Sequence, residues 1–444
     1  MERDLTRIGE KARRKPETRF TSIYHYVTDE ENLQASFRDL KAGKAPGIDG
    51  VEKKEYAKDL EKNITDLSQR LARMGYRPQP ALRVYIPKPG SEKKRPLGVP
   101  CTEDKLVQRA LARVLEQIYE ADFLDCSYGY RPGRTCHQAL AELGRTIQRK
   151  KVSYIVEADI RGFFDHVNHE WLIKFLGVRV GDERVIRLVG RMLKGGVMED
   201  GLTRASEEGT PQGGSLSPLL SNVYLHYVLD LWFERVFRQQ CRGEAYIFRF
   251  ADDFLACFQY REDAERFYRM LPERLGKFHL EVEPTKTKLL AFGRFAREQA
   301  ERAGKQPETF DFLGFTHYCG QTRQGSFKVQ RRTSRKKFRA KLKEWKAWLR
   351  ESRGLVKAGA ILRTAKAKLA GHLQYYAITD NYVMSQNFKR EVEELLFKWL
   401  NRRSQRRSYN WERFSDALAW VGWPSVHILH NLSPFEKSVS SKDC

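Results

Sequence analysis

The stretch Tyr246–Phe258, YIFRFADDFLACF, places an acidic pair between two apolar runs. Both runs are rich in aromatic and aliphatic residues, so the stretch predicts a β-hairpin with Asp252 and Asp253 at its turn. A lone Asp-Asp pair is more often a solvated turn. Here the flanking strands are apolar, and adjacent carboxylates are costly to bury there unless a cation compensates their charge. The hairpin therefore favours a metal site.

A second apolar run, Ser153–Ile160, carries another acidic residue near its end, Asp159. If its strand lies beside the hairpin, the three carboxylates of Asp159, Asp252 and Asp253 converge on one place. Oxygen ligands at this density suit Mg²⁺. In two-metal phosphoryl transfer one ion activates the attacking hydroxyl and the other neutralises the leaving group. The three aspartates therefore predict a two-metal polymerase site.

The charge of the chain indicates a polyanionic partner. The net charge is +24, and residues 321–410 alone hold 24 Lys and Arg against 6 Asp and Glu. A basic surface that only maintains solubility is the alternative, although solubility does not require such clustering. Three basic helices predicted at about 333–352, 356–376 and 386–403 could follow a phosphate backbone. The predicted nucleic-acid-binding positions are Arg331, Arg332, Arg335, Lys336, Lys337 and Arg339. The residues predicted to form the core of this bundle, rather than to stack on bases, are Trp345, Trp348, Tyr375, Tyr376 and Trp399.

Length and composition predict a water-soluble protein of two or three domains. No apolar run approaches the roughly 18 to 20 residues of a membrane span, and the charged N-terminus lacks the apolar core of a secretory signal. The 7 cysteines form no C-x-x-C pair, which favours reduced thiols in the cytoplasm over zinc or disulfides. We expect a basic, poorly structured arm over 1–20, a mixed α/β body over 21–327, a helical basic domain over 328–412 and a short tail over 413–444.

Seven motifs follow one another along the chain. They are KAPGIDGV (Lys44–Val51), YIPKPGSEKKRPLGVP (Tyr85–Pro100), SYGYRPGR (Ser127–Arg134), EADIRGFFDHVNH (Glu157–His169), TPQGGSLSPLLSNVYLH (Thr210–His226), RFADDFLACF (Arg249–Phe258) and FDFLGF (Phe310–Phe315). In this order they resemble the reverse transcriptases encoded by bacterial group II introns, along nearly the whole chain. The resemblance implies a right-hand polymerase of the α/β (α+β) class, with fingers, a palm built on an antiparallel sheet, and an all-helical thumb/maturase domain.

The activity implied by the resemblance is that of an RNA-directed DNA polymerase, a nucleotidyltransferase of a mobile element. Its partners would be an RNA template, a DNA or RNA primer, dNTPs and a structured group II intron RNA that it helps to splice. It would act in the bacterial cytoplasm, at the nucleoid when it acts on DNA, and not at a membrane. Its oligomeric state is left open.

The resemblance also assigns roles to single residues. Asp159, Asp252 and Asp253 would be catalytic and hold two Mg²⁺ or Mn²⁺ ions, and Ile160 is counted among the metal-binding positions. Phe164 would be a steric gate against the ribose 2′-hydroxyl. The alternative is that one of the two adjacent rings is simply core, and we expect Phe163 to be that one.

Further positions would bind the incoming nucleotide. Gln212 would lie near its sugar, while Lys88 and Arg95 would hold the triphosphate. Lys93 and Lys94 compete for the triphosphate role, and a solvated basic hairpin is the alternative for the whole set. A later motif, EVEPTKTK, leaves open whether Lys286 or Lys288 faces the phosphates.

Two departures from the family pattern limit the prediction. Phe250 stands where a tyrosine is usual, and only 30 residues follow Phe414, with no cysteine pair among them. We therefore expect the type that lacks an endonuclease domain. The alternative functions are a domesticated, free-standing reverse transcriptase used in defence or DNA repair, and an RNA-binding splicing factor without polymerase activity.

Overall fold

The structure, a computed structural model, describes residues 2–87, 94–199, 202–204, 209, 214–402, 409–433 and 435, without the side chains at 2, 87, 95 and 202–204. The helices are α1 (Glu2–Arg14), α2 (Tyr24–Thr28), α3 (Glu30–Asp39), α4 (Lys53–Tyr56), α5 (Leu60–Ala72), α6 (Thr102–Tyr119), α7 (Cys136–Arg149), α8 (His169–Arg179), α9 (Glu183–Lys194), α10 (Ser217–Leu225), α11 (Arg261–Gly276), α12 (Ala296–Arg302), α13 (Arg335–Leu355), α14 (Ala358–Tyr376), α15 (Tyr382–Leu400) and α16 (Trp411–Trp420). The strands are β1 (Ala81–Pro87), β2 (Lys94–Val99), β3 (Tyr154–Asp159), β4 (Val197–Glu199), β5 (Leu202–Arg204), β6 (Ala245–Phe250), β7 (Asp253–Phe258), β8 (Lys288–Ala291), β9 (Phe310–Phe312), β10 (Phe315–Gln321) and β11 (Phe327–Thr333).

The chain divides into two compact units. The first contains the described parts of Met1–Pro87, Lys93–Cys136 and Val156–Leu289. It holds the sheet β2-β1-β4-β5 and most of the sheet β6-β7-β3-β8. Strand β1 pairs antiparallel with β2 and parallel with β4. The first unit is therefore a mixed helix-and-sheet body, as the sequence predicts.

The hairpin predicted at Tyr246–Phe258 is confirmed as β6 and β7. The two strands pair antiparallel, with Phe250 opposite Asp253. Strand β7 lies between β6 and β3 in the sheet, and its residues Phe254–Phe258 are all buried. A strand covered on both faces has a continuous apolar sequence rather than an alternating one, which explains the run FLACF.

The prediction of a poorly structured N-terminal arm is wrong. Residues Glu2–Arg14 form helix α1, which packs against α6 and buries Leu5, Ile8 and Ala12. Their spacing of three and four residues places them on one helical face. Because the other positions are mostly charged, composition alone hides this apolar stripe.

The helix predicted over about Pro218–Phe237 is more complex than a regular α-helix. Helix α10 continues into two π-helical turns, His226–Asp230 and Phe233–Phe237, and ends in a 3₁₀ turn at Arg238–Gln240. The buried Asp230 lies at the end of the first π-helical turn. Such widened turns are frequent at functional sites.

The second unit contains the described parts of His137–Ile155 and Leu290–Cys444. Its boundary differs from the predicted division at 327/328, because α7 and the sheet β11-β10-β9 belong with the C-terminal helices. The sequence predicts a strand at Phe310–Phe315 but misses β10 and β11. The three basic helices are confirmed as α13, α14 and α15.

The core of the helical bundle contains Trp345 and Trp399, as predicted, together with Leu369, Phe388 and Val392. Trp348 packs against this core while partly exposed. Among the described residues, no helix combines the length and apolarity that crossing a membrane requires.

Candidate active site

The two-residue turn between β6 and β7 presents the acidic pair. Ala251 precedes the pair with a φ of 59°, in the left-handed region, and Asp253 begins β7. Left-handed backbone is unfavourable for a residue with a Cβ, so surrounding contacts must hold the turn in this conformation. Both aspartates are partly exposed, while Ala251 is buried.

Asp159 is the last residue of β3, the strand next to β7. The carboxylate of Asp159 accepts a bond from the ammonium of Lys286, and its backbone carbonyl accepts one from the amide of Glu283 at 2.7 Å. Burial, and then the negative charges of Asp252, Asp159 and Glu157, raise the pKa of Asp253 to about 7. The sheet therefore brings the predicted carboxylates close enough to interact electrostatically.

Two further charged residues lie around Asp159: Glu157, to which the sequence assigns no role, and Lys286, one of the two lysines predicted to face the phosphates. Glu157 precedes Asp159 by two residues in β3, and alternation along a strand puts both side chains on one face. The two-residue spacing of Glu157 and Asp159 is the sequence feature from which the position of Glu157 could have been predicted. Lys286, rather than Lys288, is the lysine that contacts the acidic site.

The donor set fits a divalent cation. In the described part of the chain, no three or more His, Cys, Asp or Glu side chains are grouped closely enough to hold a metal ion by themselves. Carboxylate oxygens are nevertheless the ligands that Mg²⁺ and Mn²⁺ prefer. Burial first, and then repulsion from the neighbouring carboxylates, raises the pKa of Asp253, and a bound cation would relieve that repulsion. Ile160 forms a bridge with Val282 directly after Asp159, so its backbone lies at the same edge.

The two adjacent phenylalanines after β3 differ in burial. They lie in a 3₁₀ turn, Phe163–Asp165, which follows Gly162 in the left-handed region. Phe163 is buried, with its ring 6.4 Å from that of Tyr224, which confirms the expectation that it belongs to the core. Phe164 is partly exposed.

Gly209 packs directly on this turn. A Cβ at Gly209 would lie 2.9 Å from the carbonyl oxygen of Phe164. The Gly209 amide donates to Val167 at 2.9 Å, and Nε2 of His169 lies 2.6 Å from the Gly209 carbonyl oxygen. Gly209 is thus fixed beside the turn that carries Phe164.

The predicted nucleotide-binding residues lie mostly outside the described part of the chain. Lys88 and Gln212 are not described, nor is the side chain of Arg95 in β2. These assignments, and the competition from Lys93, stay predictions. A neighbour of Gln212 is described: the backbone amide of Ser215 donates to Oε1 of Gln108 at 3.0 Å.

The predicted nucleic-acid-binding positions fall into two groups. Arg331 is fully buried, donates to the carbonyls of Leu140 and Leu432 and lies 3.6 Å from Asp380. A side chain with no exposed surface cannot reach a phosphate, so the prediction that Arg331 binds nucleic acid is wrong. The side chains that are exposed at the end of β11 and the start of α13 are Arg332, Arg335, Lys336, Lys337 and Arg339.

Comparison with known proteins identifies relatives. Residues 86–317 match a model of the family described as reverse transcriptase (RNA-dependent DNA polymerase). Group II intron-encoded protein LtrA of Lactococcus lactis subsp. cremoris is 38% identical over 233 residues, which are 51% of this chain and 38% of the relative. Protein YkfC of Escherichia coli (strain K12) is 37% identical over 239 residues, 52% of this chain and 61% of the relative. Nuclear intron maturase 1, mitochondrial, of Arabidopsis thaliana is 32% identical over 97 residues, 21% of this chain and 13% of the relative. The chain thus spans less than two thirds of each of these relatives.

Proposed function

The chain belongs to the reverse transcriptase (RNA-dependent DNA polymerase) family, and on that premise we propose that it adds deoxynucleotides to a primer paired with an RNA template. The observation that carries the proposal is the order of strands β6-β7-β3, which brings Asp252 and Asp253 beside Asp159. In this proposal the first unit supplies fingers and palm, and the helices of the second supply the thumb of a right-hand polymerase.

The side chains around the turn have separate roles in the proposed reaction. Asp159, Asp252 and Asp253 hold two Mg²⁺ or Mn²⁺ ions, with the Ile160 backbone at the same edge. The chemistry that such ions supply when bound is activation of the primer 3′-hydroxyl and neutralisation of the departing pyrophosphate. The proposal gives Phe164 the space beside C2′ of the incoming sugar, so a ribonucleotide would clash with its ring.

The remaining polar residues bind the nucleotide in this proposal. Lys88 and Arg95 clamp the triphosphate, where fixed positive charge stabilises the charge that develops in the transition state. Gln212 orients the sugar. The ammonium of Lys286 lies next to Asp159 and adds positive charge at the acidic site.

Primer extension tests the polymerase activity. Wild-type protein with an RNA template, a DNA primer, dNTPs and Mg²⁺ should extend the primer, whereas Asp252→Ala should give only background because it removes a metal ligand. Asp66→Ala is the matched control, since that carboxylate lies on α5 and pairs with Arg70 at 2.6 Å. Extension by Asp252→Ala at the wild-type rate would refute the proposal.

A second function, binding of intron RNA as a splicing maturase, is favoured by the exposed basic residues of β11 and α13. The relatives include a group II intron-encoded protein and a nuclear intron maturase. We propose that this surface binds structured group II intron RNA. The test is whether the protein accelerates splicing of the intron RNA transcribed from the DNA that flanks its own reading frame. The Asp252→Ala variant should splice normally, because the polymerase site is not needed; no acceleration by either protein would exclude the maturase role.

A further inference from the structure

Arg249 is a fully buried residue of the first unit, three residues before Asp252. It forms an ion pair with Asp230, and both side chains have no exposed surface. Nε donates to one carboxylate oxygen of Asp230 at 2.8 Å, and Nη2 donates to the other at 2.5 Å. Removing two charges from water is expensive, and a buried ion pair often stabilises a fold no more than apolar residues of the same volume. Stability therefore does not explain why an arginine lies here.

The remaining guanidinium hydrogens reach three separate segments. Nη2 donates to Oγ of Ser127 at 2.7 Å, and Nη1 donates to Oδ1 of Asn222 at 2.9 Å. Nη1 also donates to the backbone carbonyl of Ala251 at 3.1 Å. All five N–H groups of the guanidinium are thus satisfied, which fixes its plane and its position.

The bond to Ala251 acts on the acidic turn itself. Ala251 adopts the left-handed conformation directly before Asp252, and its carbonyl direction determines where the next residues lead. Gly129 packs against the same turn, where an added Cβ would lie 2.4 Å from the Ala251 amide nitrogen. Asn222 links Gly129 to Arg249, because its Nδ2 donates to the Gly129 carbonyl at 2.7 Å while its Oδ1 accepts from Arg249.

This network gives a role to residues that the proposed reaction leaves without one. Ser127 belongs to the motif SYGYRPGR and Asn222 to the motif TPQGGSLSPLLSNVYLH, and both end on the arginine of RFADDFLACF. Three motifs that are far apart in the chain therefore meet at one guanidinium. The same group contacts the peptide that precedes the acidic pair.

We propose that Arg249 is a positioning residue, which holds the carbonyl of Ala251 and thereby aims the carboxylates of Asp252 and Asp253 at the metal site. Asp230, Asn222 and Ser127 orient the guanidinium for this purpose. The inference rests on the proposed polymerase function. The alternative is a purely structural role for Arg249. In that case the ion pair with Asp230 would only fill the core, and the acidic turn would keep its geometry without Arg249.

The test compares Arg249→Lys with Arg179→Lys. Lysine keeps a positive charge near Asp230 but cannot make five directed hydrogen bonds. Arg179 is the matched control, because it too is buried in the first unit, pairs with an aspartate (Asp122, at 2.9 Å) and donates to backbone carbonyls, all away from the acidic turn. Both variants should lower the melting temperature, so thermal unfolding does not distinguish the two roles.

Kinetics and metal binding do distinguish them. We expect Arg249→Lys to lower kcat about 100-fold with little change in the KM for dNTP, since displacement of a reacting group by about 1 Å has an effect of this size. Binding of Mn²⁺ without nucleic acid, followed by the electron paramagnetic resonance signal of free Mn²⁺, should weaken in the same variant. Arg179→Lys should match wild type in kcat, KM and Mn²⁺ binding.

Asn222→Ala is the second variant, because it removes one acceptor of the guanidinium without unpairing the buried ion pair. It should change kcat and Mn²⁺ affinity in the same direction by a smaller factor, and it decides the question if Arg249→Lys does not fold. Wild-type kcat and Mn²⁺ binding in both variants would overturn the inference, as would a wild-type protein that binds no Mn²⁺. If wild type binds Mn²⁺ but extends no primer, the polymerase proposal fails and the Mn²⁺ titration alone decides the role of Arg249.

Discussion

Phe163 and Phe164 have the same side chain and adjacent positions, yet their environments differ completely. Phe163 is buried against Tyr224, whereas Phe164 leaves the core at a turn that Gly162 and Gly209 shape. The carbonyl oxygen of Phe164 lies so close to Gly209 that a larger residue there would displace the turn. The backbone at Phe164 is therefore closely constrained, as the proposed steric gate requires.

Phe164→Ala should increase incorporation of ribonucleotides relative to deoxynucleotides, because the space beside C2′ of the sugar would then accept a hydroxyl. The ratio of kcat/KM for dNTP to kcat/KM for rNTP should fall by about tenfold or more, as expected for a contact of this size. Single-nucleotide extension with dNTP and rNTP in parallel measures it. Phe295→Ala, at an exposed aromatic residue of the second unit, serves as control. Unchanged discrimination in Phe164→Ala would remove the gate assignment.

The hairpin of β6 and β7 forms backbone hydrogen bonds with the segment that follows α6. The amide of Tyr128 donates to the Arg249 carbonyl at 2.9 Å, and the amide of Arg249 donates to Cys126 at 2.8 Å. Gly129 comes next and touches the turn at Ala251. Only a residue without a Cβ allows this approach, so the acidic turn packs directly on the segment 126–129.

Gly129→Ala should lower both stability and polymerase activity. Overpacking at a site without free space typically lowers the free energy of unfolding by about 1–3 kcal/mol, and here the strain falls on the acidic turn. Gly190→Ala is the matched control, because Gly190 lies in α9 with nothing within 4 Å of an added Cβ. That control should raise stability by about 0.5–1 kcal/mol and leave activity unchanged. Urea unfolding and primer extension measure the two effects; equal activity of the two variants would contradict a tight contact at Ala251.

At the scale of the whole molecule, the charge distribution determines how the protein meets nucleic acid. The excess of basic residues over 321–410 accounts for +18 of a total of +24. The cluster at the end of β11 and the start of α13 is exposed, whereas Arg331 is paired inside the second unit. Exposed cations release counterions from phosphates when they bind, and buried ones do not.

Binding to RNA should therefore weaken steeply with salt. The binding constant K for RNA falls as the salt concentration rises. The triple variant Lys336→Gln, Lys337→Gln and Arg339→Gln should make the slope of log K against log salt concentration less steep by about 2, since each phosphate contact contributes about 0.7 to 0.9. The control removes three exposed charges near α12, with Arg297→Gln, Arg302→Gln and Lys305→Gln. Filter binding at several salt concentrations measures the slopes. A flat dependence in wild type, or equal slopes in the two triple variants, would mean that this cluster does not contact phosphates.

Local sequence patterns predict several elements of the fold, including the strands that carry the three aspartates. The hairpin at Tyr246–Phe258, the apolar strand that ends at Asp159 and the three basic helices follow from local periodicity, which neighbouring residues set. The assignment of Phe163 to the core was also correct. Helix α1 was missed because its apolar stripe, Leu5, Ile8 and Ala12, gains stability only by packing on α6.

Contacts between distant segments could not be predicted from local sequence patterns. Nothing near Arg331 in the sequence distinguishes it from the exposed Arg332, because its partner Asp380 and the carbonyl of Leu432 come from distant segments. Gly209 lies beside Phe164 for the same reason, and the contact with Asp159 distinguishes Lys286 from Lys288. Arg249 is the clearest case: its five donors reach residues between 127 and 251, and burial of a charge is tolerated only where packing has assembled all its partners.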